Sequence, residues 1–170
     1  MMGTLEKPGI ILLAAKHIFS TITNIPGREF SLRVSCLEIY NEKIYGLLNK
    51  NQDKNSTDLK VHEDGQVFVN CKIVSVIHLG NILALTNKGN KNKRIGTTNI
   101  NERSSRSHMI FRITIESHEA GAGSDGVSLV FQLNMVDLAG LERAGPTDAA
   151  RERLKEGYLI NLSLSTLALV

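Results

Sequence analysis

Two stretches of alternating apolar residues, separated by a glycine-rich segment, constrain the fold of this chain more than any other feature. Every second residue is apolar from Met109 to Ile115, and the same period of two runs from Leu129 to Met135. Because this period places alternate side chains on one face of a strand, both stretches are predicted to be strands. The glycine-rich segment Gly121 to Gly126 between them predicts an antiparallel hairpin with one apolar face.

Near the start of the chain, the apolar spacing is helical. Pro8-Gly9 and Pro26-Gly27 bound a segment that we predict to be an amphipathic helix. Its apolar residues at helical spacing are Ile11, Ala15, Ile18, Phe19 and Ile22.

A further strand is predicted next, because the period is two from Phe30 to Cys36. The apolar phase shifts at Leu37 and Ile39, which indicates either a bulge or a strand covered on both faces. The residues that follow predict a short helix capped near Asn41. The apolar residues of that short helix are Ile44, Leu47 and Leu48.

The middle of the chain carries weaker signals. Residues 49–58 are polar and typical of a loop. A helix is predicted from near Gly80-Asn81 to about Asn92. Short strands, broken around Asn70, are predicted from the apolar residues Val67, Val69, Ile73 and Val76.

These elements predict one α/β globular unit. The chain has 170 residues, is 42% hydrophobic and carries a formal charge of +3, which suits a single domain and does not indicate a strong affinity for nucleic acid. The segment from Tyr158 to Val170 is apolar nearly all round, so its predicted helix needs cover on several sides. No apolar run reaches the roughly 18 residues of a membrane span. Cys36 and Cys71 lack metal or redox spacing, so we expect buried free thiols in a reducing cytosol.

One polar cluster, Asn101 to His108, comes directly before the first hairpin strand. Its sequence, NERSSRSH, combines hydroxyl groups with two guanidinium groups. Hydroxyl oxygens suit Mg²⁺, and arginine forks onto phosphate or carboxylate. A polar loop with a helix cap explains the same composition equally well.

A second cluster, Asp137 to Glu142, follows the second hairpin strand and reads DLAGLE. Open α/β sheets place their ligand chemistry at the carboxyl ends of strands, where Asp137 is predicted to lie. An aspartate followed by a glycine whose amide can approach a ligand resembles the Walker B arrangement of P-loop NTPases. A short acidic turn is the alternative, since the DxxG motif alone is weak.

Four segments in the same order resemble the kinesin motor domain. NxxSSRSH at Asn101 to His108 is similar to the family's switch I, and DLAGLE at Asp137 to Glu142 is similar to its switch II. LEIYNEKIYGLL at Leu37 to Leu48 and KEGYLINLSL at Lys155 to Leu164 resemble two further family segments. The resemblance is greatest to the centromere-associated, or kinesin-7, branch. Myosins and small GTPases share the DxxG logic, but the SSRSH and KEG segments count against them.

The resemblance implies a partial kinesin-type P-loop NTPase fold, with a mixed central sheet flanked by helices. It implies ATP and Mg²⁺ as cofactors, with Ser105 coordinating the metal directly and Asp137 holding it through water. Ser104 would polarise the attacking water, and Gly140 would offer its amide to the γ-phosphate. Asn101 would line the nucleotide.

The resemblance also implies a salt bridge between Arg106 and Glu142 that closes the two switches over ATP and shields the site from water. His108 fits either a catalytic role or a histidine satisfied at the start of a strand.

Downstream, the resemblance implies a microtubule contact through Arg151, Arg153 and Lys155, because positive charge there would steer docking onto acidic tubulin. A solvated helix start, with Glu152 and Glu156 interleaved, is the alternative. The implied partner is the microtubule, with no nucleic acid or membrane, and a homodimer only for a full-length protein with its stalk. The implied location is the cytoplasm and cytoskeleton, with the spindle or kinetochore following if the branch is correct.

Residues 1–170 are expected to form a single partial motor domain, from after the P-loop to the start of the switch II helix. No Gly-Lys dipeptide occurs in the sequence, so the phosphate-binding GxxxxGK[ST] motif is missing. The first strands, last strand and helix, and neck linker are expected to be missing as well. The chain alone would therefore be inactive, and a non-enzymatic tubulin-binding or regulatory remnant is the alternative to a motor. Leu141, Leu162 and Ala168 depart from the family pattern, which has serine, a basic residue and glycine there.

Overall fold

The computed structural model describes residues 1, 3, 6–49, 61–63, 67–69, 71–95, 106–121, 127–140, 158, 159, 161–163 and 165. Helix α1 spans Ile10–Thr23 and helix α2 spans Leu79–Ile95. The strands are β1 Arg28–Tyr40, β2 Lys43–Gly46, β3 Val61–Glu63, β4 Val67–Val69, β5 Val74–Val76, β6 His108–Glu119 and β7 Leu129–Asp137. Residues 158, 159, 161–163 and 165 are also helical.

The main sheet has the order β2-β1-β6-β7, with β5 pairing to β1, and its pairs within the described residues are antiparallel. β6 and β7 form the predicted hairpin, in a register that runs from Met109 opposite Asp137 to Ser117 opposite Leu129. β3 and β4 form a separate two-stranded sheet. The prediction of an α/β fold with a central sheet flanked by helices is confirmed.

The phase shift in β1 comes from cover on both faces, which was one of the two predicted alternatives. β1 pairs with β6 without interruption from Arg28 to Ile39, so the strand contains no bulge along this ladder. Val34 to Glu38 are all buried. Cys36 and Ile39 point to opposite faces because they are three positions apart. Cys36 joins the core beneath the helices, whereas Ile39 lines a cavity beside helical residue Leu159.

The short helix predicted around Ile44 to Leu48 is wrong, because this segment forms β2 and a buried turn. Asn41 and Glu42 have φ angles of 49° and 60°, and Tyr40 pairs with Lys43 across them. A two-residue hairpin turn with φ positive at both positions matches the right-handed twist of its strands. The apolar spacing at this segment suits a helix or a hairpin, and the turn decides in favour of the hairpin.

Helix α1 confirms the first predicted helix, with Ile11 and Ala15 buried in the core. Helix α2 confirms the second and continues beyond the predicted end at Asn92. The Asn92 amide and the Lys88 ammonium donate to the Leu47 and Leu48 carbonyls at 2.6 and 3.0 Å. These bonds attach the second half of α2 to the turn that follows β2.

The predicted short strands are confirmed as β4 and β5, while β3 was not predicted. Residues 50–58 of the predicted loop lie outside the described residues. Both cysteines are free, as expected, and Cys36 is buried as predicted, whereas Cys71 is only half-buried. Burial, with a smaller effect of Cys71, raises the pKa of the Cys36 thiol to about 12. In the described part of the chain, no helix combines the length and apolar character needed to cross a bilayer.

Candidate functional site

The hairpin brings the end of one polar cluster beside the start of the other. Arg106 and Ser107 lead into β6 at His108, and β7 ends at Asp137. Met109 and Asp137 are register partners, so the entry to β6 and the exit from β7 lie at the same end of the sheet. Ser107 is buried, and Asp137 is half-buried. The sequence predicted this position for Asp137 at the carboxyl end of its strand.

His108 makes hydrogen bonds through both ring nitrogens. The Ala139 backbone N–H donates to His108 Nδ1 at 3.1 Å, and His108 Nε2 lies 2.9 Å from Ser163 Oγ. A backbone amide can only donate, so Nδ1 must be the acceptor and the proton of the neutral ring is on Nε2. Nε2–H therefore donates to Ser163 Oγ. We call these three residues the His108 junction.

The charges around the junction favour the neutral imidazole. Burial lowers the pKa of His108, the Lys93 ammonium lowers it further, and the Glu42 carboxylate opposes them. Lys93 is itself buried, on the α2 face that approaches the sheet. Protonation of Nδ1 would also place two donors face to face at the Ala139 amide. The electrostatics and the hydrogen-bond geometry thus agree on one protonation state.

A small cavity of about 20 Å³ opens beside the junction. Arg106, His108 and Ser163 reach it from three different segments of the chain, and the β1–β2 turn closes one side. The complete lining is Ile39, Asn41, Glu42, Arg106, His108, Leu159 and Ser163. The described end of the first cluster, the β1–β2 turn and the helical residues Leu159 and Ser163 therefore meet around one space.

The structure describes three of the predicted site residues. Arg106 is half-buried at the cavity, Asp137 ends β7, and Gly140 is exposed in the turn that follows. The other predicted site residues lie outside the described residues. They are Asn101, Ser104, Ser105, Glu142, Arg151, Arg153 and Lys155.

Sequence reasoning did not identify the partners of His108. The alternative of a satisfied histidine at the start of a strand anticipates a bonded ring. The partners, however, are 31 and 55 residues away in sequence. The resemblance of the LEIYNE segment to the family does not predict that Asn41 and Glu42 line the cavity.

The described residues are compatible with magnesium and a nucleotide, although they would not enclose a metal on their own. Asp137 offers carboxylate oxygens, which Mg²⁺ prefers. Within the described part of the chain, no group of three His, Cys, Asp or Glu side chains could hold a metal ion. Mg²⁺ commonly binds through one or two protein groups together with waters and substrate phosphates. A single carboxylate beside an exposed glycine turn fits that pattern.

Comparisons with known proteins point to one family. The kinesin motor domain model matches residues 1–170. The chain is 46% identical over 172 residues to the kinesin-like protein KIN-7D, mitochondrial, of Arabidopsis thaliana, and 46% over 174 residues to kinesin-related protein 4 of Dictyostelium discoideum. It is 44% identical over 173 residues to human centromere-associated protein E. All of the chain is covered in each case, but it spans only 16%, 9% and 6% of these relatives' lengths.

Solved motor structures agree with the family match. The structure of a fast kinesin superposes with a TM-score of 0.78 at 33% identity, covering 95% of this chain and 46% of the other. The C-terminal motor and motor homology domain of Kar3Vik1 gives a TM-score of 0.79 at 30% identity, covering 94% and 41%.

Proposed function

Because the chain belongs to the kinesin motor domain family, we propose that it forms part of a microtubule-based motor that couples ATP binding and hydrolysis to microtubule binding and movement. One observation supports this most directly. The described end of the switch I-like segment, Arg106 to His108, and the described start of the switch II-like turn, Asp137 to Gly140, lie at the same end of the β6–β7 hairpin, where Met109 opposes Asp137. Residues that sense one phosphate group must converge in this way.

At this end of the sheet, each of the chain's polar groups would have a separate role. Mg²⁺, when bound with ATP, would neutralise charge on the phosphates. Ser105 and Asp137 would hold it, the first directly and the second through water. Gly140, exposed after β7, would donate its amide to the γ-phosphate. Ser104 would orient the attacking water.

Asn101 would bind the nucleotide edge, and Arg106 would close the site by pairing with Glu142. The position of Arg106 supports this role. Arg106 lines the cavity and comes shortly before β6, the strand that pairs with β7. A bidentate arginine–carboxylate pair excludes water as well as fixing geometry.

Residues 1–170 would constitute one partial motor domain, without a phosphate-binding loop of their own. They contain no Gly-Lys dipeptide, so turnover would require another segment to supply GxxxxGK[ST]. The comparisons do not favour a non-enzymatic remnant of the motor domain.

The microtubule would be contacted through Arg151, Arg153 and Lys155, which precede the helical residues Tyr158 and Leu159 in the sequence. The implied location is the cytoskeleton. A spindle or kinetochore location is suggested only by the name of one relative, centromere-associated protein E. Dimerisation would depend on a stalk in a full-length protein.

The proposal is tested in a chimera in which this chain replaces the matching 173 residues of the motor domain of human centromere-associated protein E. We expect microtubule-stimulated ATP turnover from the chimera. Arg106→Ala should reduce that turnover by about 10²- to 10³-fold, the usual loss when a pre-organised polar group is removed from an active site.

Arg112→Ala is the matched control. Arg112 lies on β6, the strand into which Arg106 leads, and donates to Asn134 Oδ1 at 2.7 Å, away from the cavity. Its removal should leave turnover within about twofold, as expected for an exposed surface pair. Normal stimulated turnover in Arg106→Ala would overturn the assignment of the switches.

A further inference from the structure

We propose that His108 is a positioning residue that joins the Asp137–Gly140 turn to the described helical residues 158, 159, 161–163 and 165, so that a displacement of the turn is passed to the helix. This inference rests on the proposed function, in which the turn senses the γ-phosphate and the helix lies near the microtubule. The observation that carries it is the His108 junction, in which one imidazole ring contacts both segments.

The ring is held on a rigid base. His108 is the first residue of β6 and pairs with Ile39 of β1, while the next residue, Met109, pairs with β7 and is buried. Because the backbone of the strand start is fixed on both sides, the ring can move only by rotation of its side chain, which moves both ring nitrogens together. The imidazole ring is itself rigid, so its two nitrogens keep a fixed separation.

The turn side of the junction is close to the proposed phosphate sensor. Ala139 is buried and lies between Asp137 and Gly140, the residues assigned to the metal and to the γ-phosphate. Its amide donates to Nδ1 at 3.1 Å. A rotation of the turn that moves the Gly140 amide must therefore either carry the ring with it or break this bond.

The helix side has the complementary polarity. Nε2–H donates to Ser163 Oγ at 2.9 Å, and Ser163 also lines the cavity with Arg106. Leu159 lines the same cavity one helical turn earlier. A shift of the ring therefore acts on the helix at a defined point.

The surroundings keep the ring in the form that both bonds require. Among the residues that the structure describes, the charged groups that face the junction are Lys93 from α2, Glu42 from the β1–β2 turn and Arg106 at the β6 entry. Two of these three charges are positive, so they oppose an imidazolium.

The two bonds can be removed separately. In His108→Asn, the side-chain amide occupies the place of Nδ1 and can still accept from Ala139, but it cannot reach Ser163. In His108→Gln, the terminal amide occupies the place of Nε2 and can still donate to Ser163, but it leaves the Ala139 amide without its acceptor. Ser163→Ala removes the helix bond alone, and His108→Ala removes both bonds.

The measurement is the ratio of microtubule affinity with a non-hydrolysable ATP analogue to that with ADP, taken by co-pelleting of the same chimera. We expect His108→Ala to reduce this ratio about tenfold, within the usual range of coupling between sites. His108→Asn and Ser163→Ala should each reduce it about threefold. The double variant should lose no more than either, because both changes remove the same bond.

His118→Gln is the control, since His118 lies on the same strand and bonds Glu29 at 3.2 Å at the far end of the sheet. Its ratio should not change. If the junction is only structural, the variants will lose thermal stability while the ratio stays that of the parent, and the proposal fails. The proposal also fails if the double variant His108→Asn with Ser163→Ala reduces the affinity ratio by the combined effect of the two single variants.

A second readout does not depend on activity. In nitrogen-15 spectra of the parent chimera, His108 should show a bare Nδ1 and a protonated Nε2, with its signals assigned by their absence in His108→Gln. Ser163→Ala should shift the amide proton of Ala139 through the ring. If the parent chimera shows no ATP turnover, the proposed function alone is overturned. If the amide proton of Ala139 does not shift in Ser163→Ala, this inference is overturned.

Discussion

β1 and β7 have similarly apolar sequences but lie in opposite environments. In β1, the five consecutive residues Val34 to Glu38 are buried, because β2 and β5 pair on one side, β6 pairs on the other, and both faces are covered. In β7, Met135 is buried and Asp137 half-buried, while the other positions are exposed. Among the described residues, β7 pairs with β6 alone. Burial therefore follows from a strand's neighbours rather than from its own sequence.

The largest expected effect compares two phenylalanines on this basis. Phe111 is 0% exposed, between Cys36 of β1 and Met135 of β7, whereas Phe131 is 55% exposed on β7. Phe111→Ala should lower the free energy of unfolding by about 3–5 kcal/mol, since it opens a cavity in a packed core. Phe131→Ala should change it by less than about 1 kcal/mol. Urea denaturation of both variants measures the difference, and equal losses would contradict the comparison.

The pattern of success and failure in the sequence-based predictions follows the same logic. The hairpin and the helices were predictable because local periodicity reports which face is apolar. β2 was mistaken for a helix because Ile44, Leu47 and Leu48 suit both periods, and the deciding feature is the positive φ of Asn41 and Glu42. β3, only three residues long, is too short to show a period.

The candidate site also has one part that the sequence predicted and another that it did not. Asp137 was predictable at a strand end, because alternation marks where the strand stops. The bonds of His108 to Ala139 and Ser163 were not, since they join residues that only the tertiary fold brings together. Roles assigned to Ser104, Ser105 and Glu142 by resemblance stay predictions, because those residues lie outside the described part of the chain.

A smaller effect should appear at alkaline pH through Cys36, which belongs to the covered run of β1. Its pKa in the folded chain is about 12, above the ordinary value of 9.0. Above pH 9 the thiol ionises in the unfolded chain while it stays protonated in the folded chain, so stability is lost as the pH rises. Between pH 8 and pH 10 the loss should be about 1 kcal/mol.

The measurement for Cys36 is the urea midpoint at both pH values, compared with that of Cys36→Ala. The variant should lose less stability over the same interval, whatever its starting value. Identical pH dependence in the parent and Cys36→Ala would show that the thiol is not shielded as the structure indicates.

The smallest change in unfolding free energy, and a large change in association, is expected at β7. The edge of β7 that no described strand pairs and its exposed apolar side chains form a template for pairing with another chain, so the isolated 170 residues should oligomerise or be poorly soluble. Val130 and Val136 are 56% and 44% exposed on the same face. Replacing both with lysine should alter the free energy of unfolding by about 0.5 kcal/mol or less per site. The charges should raise the monomer fraction in size-exclusion chromatography with light scattering, since charged edge strands resist pairing.

Leu13→Lys, at a 53% exposed position of α1, is the matched control and should leave association unchanged, because a helix offers no strand edge. A parent chain that is already a monodisperse, cooperatively melting monomer would contradict the exposed-edge interpretation, and an equal gain from Leu13→Lys would attribute the effect to net charge.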